Sequence, residues 1–148
     1  MSLASDGSSR RRTLTILRWS LAYFGLVFGV GFLLGPLRVL WLEPRLGVRT
    51  AQLVEAPFML LAIVLAGRWV GGRLRTGYGA STRLAVGAMA AGLVLVADLG
   101  VGVGLRGMSV AEVFLGRDPV SGTVYYALIA LMALAPWALA RKAEPGGR

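Results

Sequence analysis

Three charged side chains within or beside apolar stretches are the main candidates for chemistry: Arg38, Glu55 and Asp98. Glu55 lies thirteen positions before Arg68, and Asp98 lies fifteen positions after Arg83. Because an α-helix rises about 1.5 Å per residue, both carboxylates are expected about 20 Å from the basic ends of their helices. Arg38 lies at the far end of the first apolar stretch, and its flexible side chain can extend toward the same level. The sequence therefore predicts one polar cluster of these three residues that connects three helices.

A cluster of two carboxylates and one guanidinium supports two kinds of chemistry. Charged side chains cost about 2.5 to 3.5 kcal/mol each at the centre of a membrane helix, so they usually face other helices and form ion pairs. Such a pair can hold helices in register without any further role. Alternatively, a second carboxylate without a partner can bind a proton or a cation. The residues alone leave both interpretations open.

The absence of cysteine and histidine excludes many functional classes. Disulfide and CxxC redox chemistry are excluded, and so are zinc sites built from cysteine and histidine. Histidine-ligated haem and a Ser-His-Asp triad are excluded for the same reason. We therefore predict no catalytic residue, no metal site and no cofactor, and the sequence favours a non-enzymatic protein.

The composition is that of a membrane protein. Apolar residues make up 56% of the chain, charged residues only 16%, and the mean hydropathy is +0.69. Soluble domains have under half apolar residues and about a quarter charged residues. The net charge is +9, but the basic residues flank the apolar stretches. This placement indicates membrane topology and contact with lipid headgroups rather than nucleic-acid binding.

The chain contains apolar stretches long enough to cross a bilayer, which requires about 20 helical residues. We predict a single domain over residues 1–148, an all-α up-down bundle of four transmembrane helices, with a disordered basic segment at 1–12 and a tail at 141–148. The predicted helices are residues 14–42, 51–70, 84–105 and 122–140. Period-2 alternation of apolar residues is missing, which argues against a barrel. A short interfacial helix is expected within the loop at 109–119.

The basic residues also predict the orientation of the helices. Eleven of them lie in the N-terminal segment, the second loop and the tail, or next to these, and five lie on the other side. By the positive-inside rule, both termini are expected in the cytoplasm. The aromatic residues agree with two interfaces: Trp19, Trp69, Tyr78 and Trp137 near the inner one, and Trp41, Tyr125 and Tyr126 near the outer one. We expect a multi-pass protein of a bacterial inner (plasma) membrane.

Pairs of glycines four positions apart predict close helix packing, because they allow backbones to approach. The pairs are Gly25 and Gly29, Gly31 and Gly35, and Gly100 and Gly104. Packing within the bundle and packing in an oligomer are both consistent with this spacing.

An Arg-x-Leu-Trp segment begins at Arg38, and a Glu-x-Pro segment spans Glu55 to Pro57. In these features the chain resembles an uncharacterised group of small bacterial inner-membrane proteins of about this length. The similarity covers mainly the first two predicted helices. The resemblance implies that Glu43 and Arg45 act together with Arg38, Glu55 and Pro57. It implies no activity.

Three functions remain open at this point. The first is an accessory or structural subunit whose partner is another membrane protein. The second is a small transporter, or an oligomer that conducts protons or cations, built around Glu55 and Asp98. The third is an enzyme that modifies lipid and uses the same carboxylates with Arg38. The expected partners are the lipid bilayer, another membrane protein or further copies of the chain, and no nucleic acid.

Overall fold

The computed structural model describes the backbone from residue 3 to residue 141 and the side chains from residue 7 to residue 140. All its regular elements are helical, which confirms the predicted all-α class. They are α1 (Leu3–Leu37), a π-helical segment (Arg38–Leu42), α2 (Glu43–Arg75), α3 (Ala80–Gly104), α4 (Val110–Leu115) and α5 (Pro119–Arg141).

Within the part of the chain that the structure describes, three helical stretches are long and apolar enough to cross a membrane: Gly7–Arg75, Ala80–Gly104 and Pro119–Ala140. In the most apolar part of each, only 6%, 28% and 22% of the residues, respectively, are buried inside the protein. Phe32 and Leu33, for example, are 66% and 76% exposed. Exposed apolar surface on this scale is unfavourable in water but matches the hydrocarbon of a bilayer.

The stretch Gly7–Arg75 is not one straight rod. Gly47 has φ 78° and ψ 162°, a backbone conformation that is open to glycine and strained for other residues. The Tyr23 hydroxyl donates a hydrogen bond to the Ile63 carbonyl, although forty residues separate them. In a straight helix they would be about 60 Å apart. The chain therefore reverses around Gly47, and α1 packs antiparallel to α2.

The ends of the helices differ from the predicted ones. Helix α1 begins at Leu3, within the segment 1–12 for which the sequence predicts disorder. Arginine is a good helix former, and adding residues to an existing helix costs little. The loop between α2 and α3 is reduced to residues 76–79, whereas the predicted connection extended over 71–83. The predicted tail lies outside the described residues after Arg141.

The core lies where α5 packs against α2 and α3, and where α1 packs against α2 and α3. Its central residues are Tyr23, Val27, Ile63, Val70, Leu74, Val86, Ala90, Met132 and Ala135. Most of these side chains are aliphatic and of small or medium size. The helices are thus close enough for their backbones to touch.

The closest helix contacts occur at glycines other than those of the predicted pairs. A Cβ atom at Gly67 would lie 2.7 Å from the Ala135 Cβ. At Gly71 and Gly87 it would collide with main-chain carbonyls of α5. Among the predicted pairs, a Cβ atom added at Gly31 would lie 3.4 Å from the Met59 Cε, in van der Waals contact. Within the described chain, nothing lies within 4 Å of the corresponding position at Gly25, Gly29, Gly35, Gly100 and Gly104.

The loop between α3 and α5 contains the short helix α4, as predicted. Ser109 caps it: the Ser109 hydroxyl accepts from the Glu112 backbone N–H, and the Glu112 carboxylate accepts from the Ser109 backbone N–H. This reciprocal arrangement satisfies two N–H groups at the start of the helix. Val113 is buried against Gly102, which fixes α4 to the end of α3.

Candidate functional site

The first group of charged residues lies at the reversal between α1 and α2. Arg38 donates from Nη1 to Glu55 Oε2 at 2.6 Å and from Nε to Glu43 Oε1 at 3.2 Å. The side chains of Arg38 and Glu55 are 22% and 12% exposed. Because Glu43 and Glu55 lie on opposite sides of Gly47, a single guanidinium connects both arms of the reversal. The group has one carboxylate more than it has cations.

The second group surrounds Asp98 on α3. Its Oδ2 accepts hydrogen bonds from Arg117 Nη2, at 3.3 Å, and from the Tyr125 hydroxyl. The Arg117 guanidinium also lies 3.8 Å from the centre of the Tyr125 ring, within the range of a cation–π contact. The buried Nε of Arg117 has no acceptor among the described residues. This group connects α3, the following loop and α5.

The third group joins the reversal to the start of α5. Arg49 donates from Nε and Nη2 to Asp118 Oδ1 at 2.8 and 2.6 Å. The other Asp118 oxygen accepts from the backbone N–H groups of Val120 and Ser121, which caps α5. The hydrogen bond from Arg49, followed by that from the Ser121 backbone, lowers the pKa of Asp118 to about 2. Asp118 thus remains ionised over the physiological range.

The structure distributes the three predicted residues over two groups. Arg38 and Glu55 are in direct contact, whereas the described polar contacts of Asp98 are with Arg117 and Tyr125. Two carboxylates and one guanidinium predict one carboxyl group without a partner, whereas Glu55 and Asp98 each accept a hydrogen bond from a different arginine. The spacing of residues had not indicated Arg117 and Tyr125, because a loop separates them from Asp98.

The two remaining residues implied by the resemblance lie outside these contacts. Arg45 and Pro57 are exposed. Glu43, by contrast, is in the group of Arg38. The sequence distinguishes the two by charge, because the carboxylate of Glu43 can pair with Arg38, whereas Arg45 carries the same charge as Arg38.

Together, the three groups connect the reversal, α3, the loop that precedes α5, and α5 itself. The first three segments each contribute charged side chains, and α5 contributes the Tyr125 hydroxyl. Charge-assisted hydrogen bonds of this type are stronger than neutral ones, and they are strengthened further where water is scarce. The arrangement is suited to holding helix ends together. Asp98 also carries a carboxylate, a group that can bind a proton.

No family model, no curated protein and no solved structure matches this chain. The function is therefore inferred from the contacts between the residues of this chain.

Proposed function

We propose that this chain is a multi-pass protein of a bacterial inner (plasma) membrane, with four spanning helices and both termini in the cytoplasm. The distribution of basic residues supports this orientation. The reversal at Gly47 supports the number of spans, because it divides Gly7–Arg75 into two antiparallel arms. Each arm exceeds the roughly 20 residues that a bilayer requires.

Within this topology, the chain acts as a non-enzymatic accessory or structural subunit that packs against another membrane protein. The observation that carries this function is the outward orientation of its glycine pairs. Gly25 and Gly29 on α1, and Gly100 and Gly104 on α3, have no described atom within 4 Å of a Cβ position. Glycine pairs in membrane helices allow a second helix to approach closely. Here they are accessible to a helix from another chain.

The state of the carboxylates favours the same function. Glu55 and Asp98 are each paired with an arginine of the same chain. Ion pairs of this type hold helices in place, and a carboxylate that is already paired binds a further cation less readily. A structural role for both residues is therefore the simpler one.

The test is native mass spectrometry of the tagged protein after gentle extraction from its host membrane. We expect a second protein at fixed stoichiometry, lost in the double variant Gly25→Leu/Gly29→Leu. Gly72→Leu is the matched control, because Gly72 also has open space around it but lies at the end of α2. A chain recovered without any second protein would contradict the accessory role.

A second function, proton or cation transport, is favoured by one feature. Asp98 is 28% exposed and bonds to the Tyr125 hydroxyl, and it lies beside a guanidinium whose Nε lacks an acceptor in the described chain. A carboxylate–phenol pair can pass a proton. This function predicts that Asp98→Asn abolishes flux in liposomes while Glu43→Gln preserves it. Absence of flux in the unmodified protein would exclude it.

A further inference from the structure

A second polar site lies at the opposite end of the molecule, where α1 meets the loop between α2 and α3. A depression of about 450 Å³ is lined by Ser8, Arg11, Arg12, Gly77, Tyr78, Gly79, Ser81 and Thr82. Arg12 donates from Nε to the Thr82 hydroxyl at 3.1 Å and from Nη2 to the Ser81 hydroxyl at 3.0 Å. The hydroxyls of Thr15 and Tyr78 lie 3.0 Å apart and join the same two segments. The lining thus combines guanidinium groups with hydroxyls.

The charge at this site is not balanced by the described part of the chain. Between residues 7 and 140 the carboxylates are Glu43, Glu55, Asp98, Glu112 and Asp118. Asp98 lies eighteen residues along α3 from Ala80, which places it about 27 Å from the site. The other four carboxylates also lie at the opposite end of the molecule. No described carboxylate therefore neutralises Arg11 or Arg12.

The position of Arg12 adds to this imbalance. Its guanidinium bonds to Ser81 and Thr82 in the first turn of α3, which begins at Ala80. The N-terminal end of a helix carries a partial positive charge, so a cation there is unfavourable unless an anion accompanies it. Guanidinium groups and hydroxyls are the groups with which proteins bind phosphate.

We propose that this depression binds the phosphate of an anionic lipid headgroup. The surface next to the site favours a lipid over a free anion. Leu14, Leu17 and Leu21 follow the arginines along α1 and are between 39% and 54% exposed. This exposed apolar surface marks where α1 enters the hydrocarbon of the bilayer, so the depression lies just beyond it, at the level of the lipid headgroups. Anionic lipids are enriched at cytoplasmic membrane surfaces and attract basic segments of this type.

The proposal is tested with delipidated protein in detergent, to which phosphatidylglycerol or phosphatidylcholine is added before native mass spectrometry. We expect the unmodified chain to retain phosphatidylglycerol in preference to phosphatidylcholine. Arg11→Gln/Arg12→Gln should weaken phosphatidylglycerol binding about thirtyfold or more, because it removes charge-assisted hydrogen bonds that the two guanidinium groups would make directly to the phosphate. Arg11→Gln alone is the second variant, because the described bonds to α3 come from Arg12 and remain in place.

The control is Arg10→Gln/Arg18→Gln, which removes the same charge from the same helix but leaves the lining of the depression intact. We expect this control to weaken phosphatidylglycerol binding much less than Arg11→Gln/Arg12→Gln does, because it reduces only the general electrostatic attraction. Equal losses in both double variants would overturn the proposal in favour of diffuse attraction. Displacement of the lipid by inorganic phosphate at equal concentration would also overturn it, because the site would then bind free phosphate.

Discussion

The Arg38 guanidinium lies 2.6 Å from the Glu55 carboxylate and joins two segments that run in opposite directions on either side of Gly47. The same guanidinium contacts Glu43, so removing it leaves two carboxylates without their partner. An ion pair across a chain reversal restricts the angle between the arms. This contact is therefore expected to determine how firmly α1 and α2 are held together.

Replacing Arg38 with glutamine should destabilise the protein by about 1 to 3 kcal/mol, the cost of leaving partly buried charged groups unpaired. The free energy of unfolding in mixed detergent micelles provides the measurement. Arg45→Gln is the matched control, because Arg45 is exposed and forms no ion pair within residues 7–140. Similar losses in both variants would show that the pairing contributes little.

The pair of Arg49 and Asp118 predicts a pH dependence at the start of α5. The folded protein holds the pKa of Asp118 at about 2, below its ordinary value of 3.8. A carboxyl group with a lowered pKa stabilises the folded state fully above its unfolded pKa and loses that contribution as the pH falls. The contribution should therefore disappear between about pH 4 and pH 2. Carbon-13 NMR of labelled aspartate provides the titration.

In the same experiment, Arg49→Gln should raise the pKa of Asp118 toward its ordinary value, because the Arg49 hydrogen bond is the largest cause of the shift. The backbone N–H groups of Ser121 and Val120 should keep part of the shift. Arg106→Gln, an exposed change in the neighbouring loop, should leave the titration unchanged. An unchanged pKa in Arg49→Gln would contradict the geometry.

Helix packing is tested most directly at Gly87. A methyl group there would collide with the main-chain carbonyl of Ala133, so α3 and α5 would have to separate. Gly87→Ala should cost about 1 to 3 kcal/mol, as overpacking of a core does. Gly92→Ala, on the same helix with open space around it, should be neutral or stabilising by up to about 1 kcal/mol. Unfolding in a denaturing detergent compares the two.

Topology can be measured cleanly because the chain has no native cysteine. Single cysteines introduced as Ser9→Cys and Thr76→Cys should be labelled in inside-out vesicles by a thiol reagent that does not cross the membrane. Thr50→Cys and Met108→Cys should be labelled by the same reagent in intact cells. Labelling of Thr50→Cys and Thr76→Cys from the same side would contradict four spans.

Several features of the fold could be predicted from local properties of the chain. Long apolar runs must hydrogen-bond their own backbones in a bilayer, so helices followed from composition alone. The short helix α4 was predictable from Ser109 and the apolar residues that follow, because its cap involves only neighbours in the sequence. The reversal was assigned to the right region around Gly47, although most of the predicted connector is helical.

The helical class and the lengths of the apolar runs follow from the residue types along the chain, because both are local properties. The partners of Glu55 and Asp98, and the glycines at the helix contacts, depend instead on how the helices pack. A helix turns about 100° per residue, so a small change in its rotation determines which side chains face inward. That rotation placed Asp98 beside Arg117 and Tyr125, and brought Gly67, Gly71 and Gly87 against α5.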